Sequence, residues 1–314
     1  MRDRYGGPEV LRLDEVAPPT LADDAVLVRV RASSLNAFDW HMLRGRPFIA
    51  RLGEGLRRPR SLTIGADAAG IVEAVGSSVT HVAVGDRVFG SRWGAFAELV
   101  AGRMFVRMPE RATFEEAAAV PGAGCTALQA VRDRARLEAG QRVLILGAGG
   151  GVGTFAVQIA RALGVEVTAV TSAEKMALVS SIGADEVLAR GNADGLPRQG
   201  FDAVLDISGT WPLGELGRVV RPGGTVVLVA PGGGDWVGPL ARLAMGRVRG
   251  PLDRRRYVPF LAKVTREDLE ALRELVDAGR VRPIIDRRYE LERVGDAIRY
   301  VESSAARGKV VITV

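Results

Sequence analysis

The chain has 314 residues, 47% hydrophobic and 25% charged, the composition of a globular protein with length for about two domains. A single cysteine, Cys125, excludes an internal disulfide and a zinc site built on several thiolates, and no apolar run reaches the roughly 18 residues of a membrane-spanning helix. The net charge of +6 rests on 43 basic residues, overwhelmingly arginine, scattered among 37 acids; without zinc-finger spacing, an RNA-recognition signature or an aromatic-interleaved basic stretch, it does not indicate a nucleic-acid binder.

The N-terminus, MRDRYGGPEV, lacks the apolar core of a secretory signal, so a cytoplasmic protein is expected. AVLVRVRA (25–32) alternates like a half-buried strand, and GIVEAVG (70–76), GDRVFG (85–90) and AFAELV (95–100) are short runs bounded by glycine turns. They predict a partly closed barrel or sandwich over residues 1–110. From Glu115 the texture changes. RVLILG (142–147), VEVTAV (165–170), FDAVLDI (201–207) and GTVVLVA (224–230) read as buried strands. Helices are expected over Val152–Leu163 and Ala173–Ile182, and the alternation implies a parallel sheet covered by helices. TREDLEALRELVDAG (265–279) opens with Thr265 and Asp268 at capping-box spacing and closes on glycine, and KVVITV ends the chain as a strand.

Five glycines fall within the seven residues Gly147–Gly153, between a strand and a helix that leads into a second strand. That setting is the dinucleotide fingerprint, in which backbone amides and the helix dipole together receive a pyrophosphate. Gly147, Ala148, Gly150, Gly151, Val152 and Gly153 are therefore candidate cofactor contacts. An NAD-selective site places an acid about 20 residues on, at the end of the second strand. Here Thr171 and Ser172 occupy that place and Lys175 follows, so Ser172 and Lys175 are expected to favour the 2′-phosphate of NADPH.

GAGGGVG followed by FAVQIARALGVEVTAVTSAEKMALVSSIGADEVL resembles the medium-chain dehydrogenase/reductase superfamily, and within it the zinc-independent quinone oxidoreductase branch. YGGPEVLRLDEV (5–16), SSLNAFDWHMLRGRP (33–47), GADAAGIVEAVG (65–76), AAAVPGAGCTALQAV (117–131) and ARGKVVI (306–312) resemble family blocks in family order. The resemblance implies an α/β protein: a GroES-like β-rich catalytic domain, 1–114 completed by 285–314, and a Rossmann domain with a doubly wound parallel sheet, 115–284. It also implies a strand before the RYGGPEVL block, where this chain has only a few residues. Asn36 is implied beside nicotinamide and substrate, although Ala37 and Phe38 follow where relatives read Asn-Pro-x-Asp. Thr126 is implied at the nicotinamide end, and Lys309 as a cofactor-contacting lysine. Ser208, Gly209, Ala230 and Pro231, which follow two strands, would border the cofactor. Asp39 and His41 are candidate proton donors.

Zinc-dependent members of the superfamily carry His-Glu in the block that here reads IGADAAG, so Ala66 and Asp67 stand at those positions, and LNAFDWH lacks their early cysteine. No metal site is expected, and Asp67 reads as a polar or turn-stabilising residue. The expected activity is zinc-independent, NADPH-dependent hydride transfer to quinones or conjugated enones, with Asn36 and Asp39 as catalytic residues and solvent as the proton source. A zinc-free alcohol dehydrogenase, an enoyl reductase and a non-catalytic dinucleotide sensor are the alternatives. A small-molecule carbonyl or quinone is the expected partner, and a homodimer the expected assembly. The basic apolar segment 232–264 is expected to form a helical flap at the substrate mouth.

Overall fold

A computed structural model of the protein describes residues 1–314 apart from 49–50, 192–194, 198–199, 230–245, 247–248 and 251–252. Ala230, Pro231 and much of the expected flap lie outside the described residues. The described strands are β1 (Val26–Leu35), β2 (Asp67–Val75), β3 (Arg87–Ser91), β4 (Leu99–Gly102), β5 (Met104–Arg107), β6 (Arg142–Leu146), β7 (Glu166–Thr171), β8 (Glu186–Ala189), β9 (Phe201–Asp206), β10 (Val220–Leu228), β11 (Arg256–Pro259), β12 (Ile285–Glu290) and β13 (Lys309–Thr313). The helices used below are α1 (Ala37–Arg44), α2 (Arg51–Glu54), α3 (Phe114–Ala118), α4 (Pro121–Leu128), α5 (Gly151–Ala162), α6 (Met176–Ser181), α7 (Leu213–Val219), α8 (Arg266–Asp277) and α9 (Val294–Glu302). The chain divides into two units, residues 1–125 with 263–314, and residues 126–262.

In the first unit β1 is the hub. β2 pairs along one edge of it, while on the other edge β4 takes Val26–Arg29 and β13 takes Ala32–Leu35. β3 joins β2, and β5 joins β3. Only Arg103 separates β4 from β5, so the path β1–β2–β3–β5–β4 returns to β1. This is the partly closed barrel that the short alternating runs imply. Val26, Val28 and Val30 are buried among Val72, Val88, Val100 and Phe105, with Arg29 and Arg31 facing water, the period-2 pattern of a one-sided strand. From Ser33 to Leu35 every residue is buried. There β1 is covered on both faces, and its Ser33 and Ser34 hydroxyls are buried, while Asn36 just after it is half-exposed.

The run 95–100 is strand only from Leu99. Gly94 has φ +101°, and the amides of Gly94, Ala95 and Phe96 donate to Gly65, Gly65 and Ile64 carbonyls, which diverts this stretch from the ladder. β5, β8, β11 and β12 are further strands beyond those expected. They run four to six residues and are half-exposed or at sheet edges, so their apolar pattern is short.

The second unit is an all-parallel sheet in the order β11-β10-β9-β6-β7-β8. The chain runs outward from β6 to β8, then returns to β9 on β6's other edge. The strand order therefore reverses between β6 and β9, the place where such sheets open a crevice at their carboxyl ends. Leu144, Leu146, Val204, Val226 and Leu228 pack in one apolar cluster beneath it.

Glycine is not needed equally through the turn after β6. A Cβ on Gly153 would sit 2.3 Å from the Gly147 carbonyl oxygen and 2.6 Å from Ala148 Cα, whereas one on Gly150 would meet only the Gly147 oxygen at 3.6 Å. Gly153→Ala is expected to cost about 1–3 kcal/mol in urea unfolding through overpacking against backbone, and Gly150→Ala less than about 1 kcal/mol. Equal costs would show that the close helix–turn contact does not set the requirement.

Candidate active site

Gly147 closes β6 with φ +86°, and the amides of Gly147 and Ala148 donate to the Val170 carbonyl at 3.0 and 3.2 Å. Gly150 is the N-cap of α5, in extended conformation and with no side chain to satisfy the helix amides. The N–H groups of Gly151, Val152 and Gly153 have no backbone acceptor among the described residues, and Gly150, Gly151 and Val152 are half-exposed. The first turn of a helix thus faces outward with open donors, and no side chain blocks them. These residues could hold a pyrophosphate.

Around this turn the sheet supplies the expected residues. Ser208 follows β9, and its backbone N would lie 3.2 Å from a Cβ on Gly147. Asp206, fully buried at the end of β9, accepts from the Gly209 amide at 2.9 Å and from Ser208 Oγ at 3.1 Å. It shapes the Ser208–Gly209 turn, where Gly209 takes φ +68°. Asp206 is not among the residues expected from sequence; an acid inside the otherwise apolar run AVLDI is the signal that marks it. After β7, Ser172 Oγ donates to Glu174 Oε1 at 2.6 Å. Lys175 is buried and lies along the glycine turn; a Cβ on Gly149 would be 2.8 Å from its Cβ and Cδ. Thr126 is half-buried in α4.

In the first unit, Asn36 ends β1's extension and is the N-cap of α1, yet its side chain makes no cap hydrogen bond. Instead Asn36 Nδ2 donates to Asp67 Oδ2 at 2.8 Å, and Asn36 Oδ1 accepts from Lys309 Nζ at 2.6 Å. Lys309 Nζ also donates to the Leu35 carbonyl at 2.8 Å and lies 3.9 Å from Asp67 Oδ2. Asp67 Oδ2 accepts further from the Gly122 amide at 3.0 Å and from Ser34 Oγ at 3.4 Å. Asp39 Oδ2 accepts from the Asn36 backbone N–H at 2.7 Å. His41, on the same helix, stacks on Trp40 with ring centroids 3.6 Å apart. Asn36, Asp39 and Lys309 thus meet in one cluster, and Asp67, which reads from sequence only as a polar or turn residue, lies in its centre.

Burial pushes the Asp39 carboxyl up to about 7, with the Asp67 charge adding to the rise while the Asn36 N–H and Lys309 oppose it. Burial likewise raises Asp67, against Lys309, Asn36, Gly122 and Ser34, and lowers Lys309, against both carboxylates. Asp39 Oδ1 and Asp67 Oδ1 are buried without hydrogen-bond partners among the described residues. The cluster is dry, and an acid and an amide donor sit next to one another in it. Displaced carboxyl titration in such a setting is a mark of functional sites.

A family described as alcohol dehydrogenase GroES-like domain matches residues 22–130, and one described as zinc-binding dehydrogenase matches residues 182–312. The chain is 32% identical to the 2-methylene-furan-3-one reductase of Solanum lycopersicum, over 98% of this chain and 76% of that protein. It is 30% identical to the quinone oxidoreductase of Homo sapiens, over 98% of this chain and 95% of that one. The solved quinone oxidoreductase of Coxiella burnetii superposes with a TM-score of 0.88 at 29% identity, covering 100% of this chain and 98% of the other. The chain belongs to the medium-chain dehydrogenase/reductase superfamily, in its zinc-independent quinone oxidoreductase branch. It is an oxidoreductase.

The zinc in one family description has a test in this oxidoreductase's own donors. Asp67 Oδ2 already takes three hydrogen bonds, and Ala66 beside it offers no ligand. Among the described residues no three His, Cys, Asp or Glu side chains gather as a ligand set. These residues do not fit a tetrahedral zinc site.

Because the Asp39 carboxyl is raised, folded protein binds its proton more tightly than unfolded protein does between about pH 3.9 and 7. The stabilisation is fully present below about pH 4 and is lost as pH rises through 7. Asp39→Asn should therefore gain stability relative to the parent protein across that window, with a slope of at most about 1.4 kcal/mol per pH unit. Urea titrations of both proteins from pH 4 to 8 check this, and parallel profiles would show that Asp39 titrates normally.

Proposed function

We propose that the protein is an NADPH-dependent, zinc-independent reductase of quinones or conjugated enones. The observation that carries this reading is the Asn36 cluster, a fixed amide donor beside a buried carboxyl group that titrates near neutrality. Relatives named quinone oxidoreductase and 2-methylene-furan-3-one reductase support the substrate class. The glycine turn fits a dinucleotide because its open amides and missing side chains leave room for a pyrophosphate. Gly147, Ala148, Gly150, Gly151, Val152, Gly153, Ser208 and Gly209 would hold it, with Thr126 near the nicotinamide. Ser172 and Lys175 would take the 2′-phosphate. When bound, the cofactor supplies a hydride.

The chain's residues do the rest. Reduction by hydride needs one proton, and Asp39 holds one at a carboxyl group kept from solvent; bulk water restores it. Asn36 offers a hydrogen bond to the acceptor's oxygen, where negative charge develops. Such a donor is worth about 2.7–4 kcal/mol where it has been removed from other enzymes. No Lewis acid takes part in this reading, so the acceptor must be activated by its own conjugation, which excludes plain alcohols as good substrates.

Three measurements test the assignment. NADPH oxidation with a small quinone should survive strong chelators. Asn36→Ala should lower kcat by about 100-fold or more while changing NADPH binding little. Lys175→Ala should raise KM for NADPH about 10- to 150-fold, the equivalent of ~1.5–3 kcal/mol, and leave KM for NADH nearly unchanged. Loss of activity on chelation, or primary alcohols turning over faster than any quinone or enone, would overturn the reading. Equal losses with both cofactors would remove Lys175 from the 2′-phosphate site.

A further inference from the structure

We propose that Asp67, acting with Lys309, is the positioning residue that locks the Asn36 amide in one of its two orientations, leaving one Nδ2 hydrogen free for a ligand oxygen. This deepens the reductase reading and rests on it for the identity of the ligand. A terminal amide can turn by half a rotation and exchange its donor and acceptor ends at little cost in shape. Here the two ends face opposite charges: Nδ2 faces the Asp67 carboxylate at 2.8 Å, and Oδ1 faces the Lys309 ammonium at 2.6 Å. Turning the amide over would set oxygen against carboxylate and NH₂ against ammonium, so both contacts become repulsive.

Each partner is itself immobilised. Asp67 is held by the Gly122 amide and Ser34 Oγ, and Lys309 by the Leu35 carbonyl. Both are buried, with Lys309 2% and Asp67 0% exposed, so water does not offer them other partners. Gly122 must lack a side chain for this, since a Cβ there would lie 2.9 Å from Asp67 Oδ2 and 3.0 Å from Asn36 Nδ2. One Nδ2 hydrogen is used by Asp67. The other has no acceptor among the described residues, and Asn36 is half-exposed. The group recognised is therefore one that accepts a hydrogen bond, which a carbonyl oxygen does and an ammonium group does not.

The sequence allows a direct test, because the chain has only two asparagines, Asn36 and Asn192. Protein labelled with nitrogen-15 in the asparagine side chains gives two NH₂ pairs, and the pair that vanishes in Asn36→Ala belongs to Asn36. One proton of that pair should exchange with water at least about tenfold more slowly than its twin. In Asp67→Asn, or in Gly122→Ala if that variant folds better, the difference should collapse. In turnover, Asp67→Asn should lower kcat about tenfold or more with KM for NADPH within about twofold, yet cost under about twofold when added to Asn36→Ala, since residues that act as a unit are non-additive. Two protons that exchange alike in the parent protein, or losses that multiply in the double variant, would overturn the proposal. Absence of any quinone or enone turnover in the parent protein would defeat the reductase reading alone, because the exchange measurement needs neither cofactor nor substrate.

Discussion

A buried ammonium group organises the first unit. Lys309 is one of three lysines in a chain that otherwise uses arginine, and burying its charge costs several kcal/mol unless it is paired and hydrogen-bonded. Backbone pairing delivers its partners. β13, β1 and β2 are neighbours, with Leu35 opposite Val310 and Ser34 opposite Asp67. Lys309, Asn36 and Asp67 therefore come from three adjacent strand ends, and Lys309 is fixed on its far side by the bond from its amide to the Ile284 carbonyl. A slip of one residue in either pairing would turn the side chains to the opposite face. The same register that closes the sheet also aligns the charges.

The cluster has two carboxyl groups and one ammonium. With both carboxyls ionised it would hold an excess negative charge in a dry environment. A proton on Asp39 brings it to neutrality, which is why burial and Asp67 together push that carboxyl up to about 7. Burial raises Asp67 as well, opposed by Lys309 and by its hydrogen bonds from Asn36, Gly122 and Ser34. The two carboxyls thus differ in their neighbours: Asp67 accepts from the Asn36 side-chain amide, and Asp39 from the Asn36 backbone N–H.

Much of this was legible in the sequence, for identifiable reasons. The βαβ pattern around Gly147–Gly153 carries its own context, and β6, α5 and β7 lie within a residue of their expected ends. The valine alternation in β1 is equally plain. β5 and β12 escaped because short edge strands with half-exposed faces lack a strong period. Asp67 was harder. Its position invites comparison with metal ligands, and once that reading fails nothing in ADAAG says what else it does. The remaining clue was an acid in a run of small apolar residues, DAAG, whose strand is buried at that end. Only the fold shows that Asn36, Asp67 and Lys309, far apart in the chain, end in hydrogen-bonding distance.

Asn36 also shows how the site overrides local preference. Asparagine at a helix N-cap ordinarily uses its side-chain oxygen to satisfy an amide of the first turn, a contact worth about 1 kcal/mol. Here that oxygen accepts from Lys309 Nζ, while the Asn36 backbone amide donates to Asp39. In the same cluster, Asp39 Oδ1 and Asp67 Oδ1 are buried without a hydrogen-bond partner among the described residues. A sequence optimised for stability alone would not keep this arrangement, and conflicts of that kind concentrate where a fold serves chemistry. Asp39 lies in the first turn of α1, where a charged carboxylate would interact favourably with the helix dipole. Burial acts in the other direction and is the larger influence, which is why the carboxyl is held up to about 7 although it accepts the Asn36 N–H at the start of the helix.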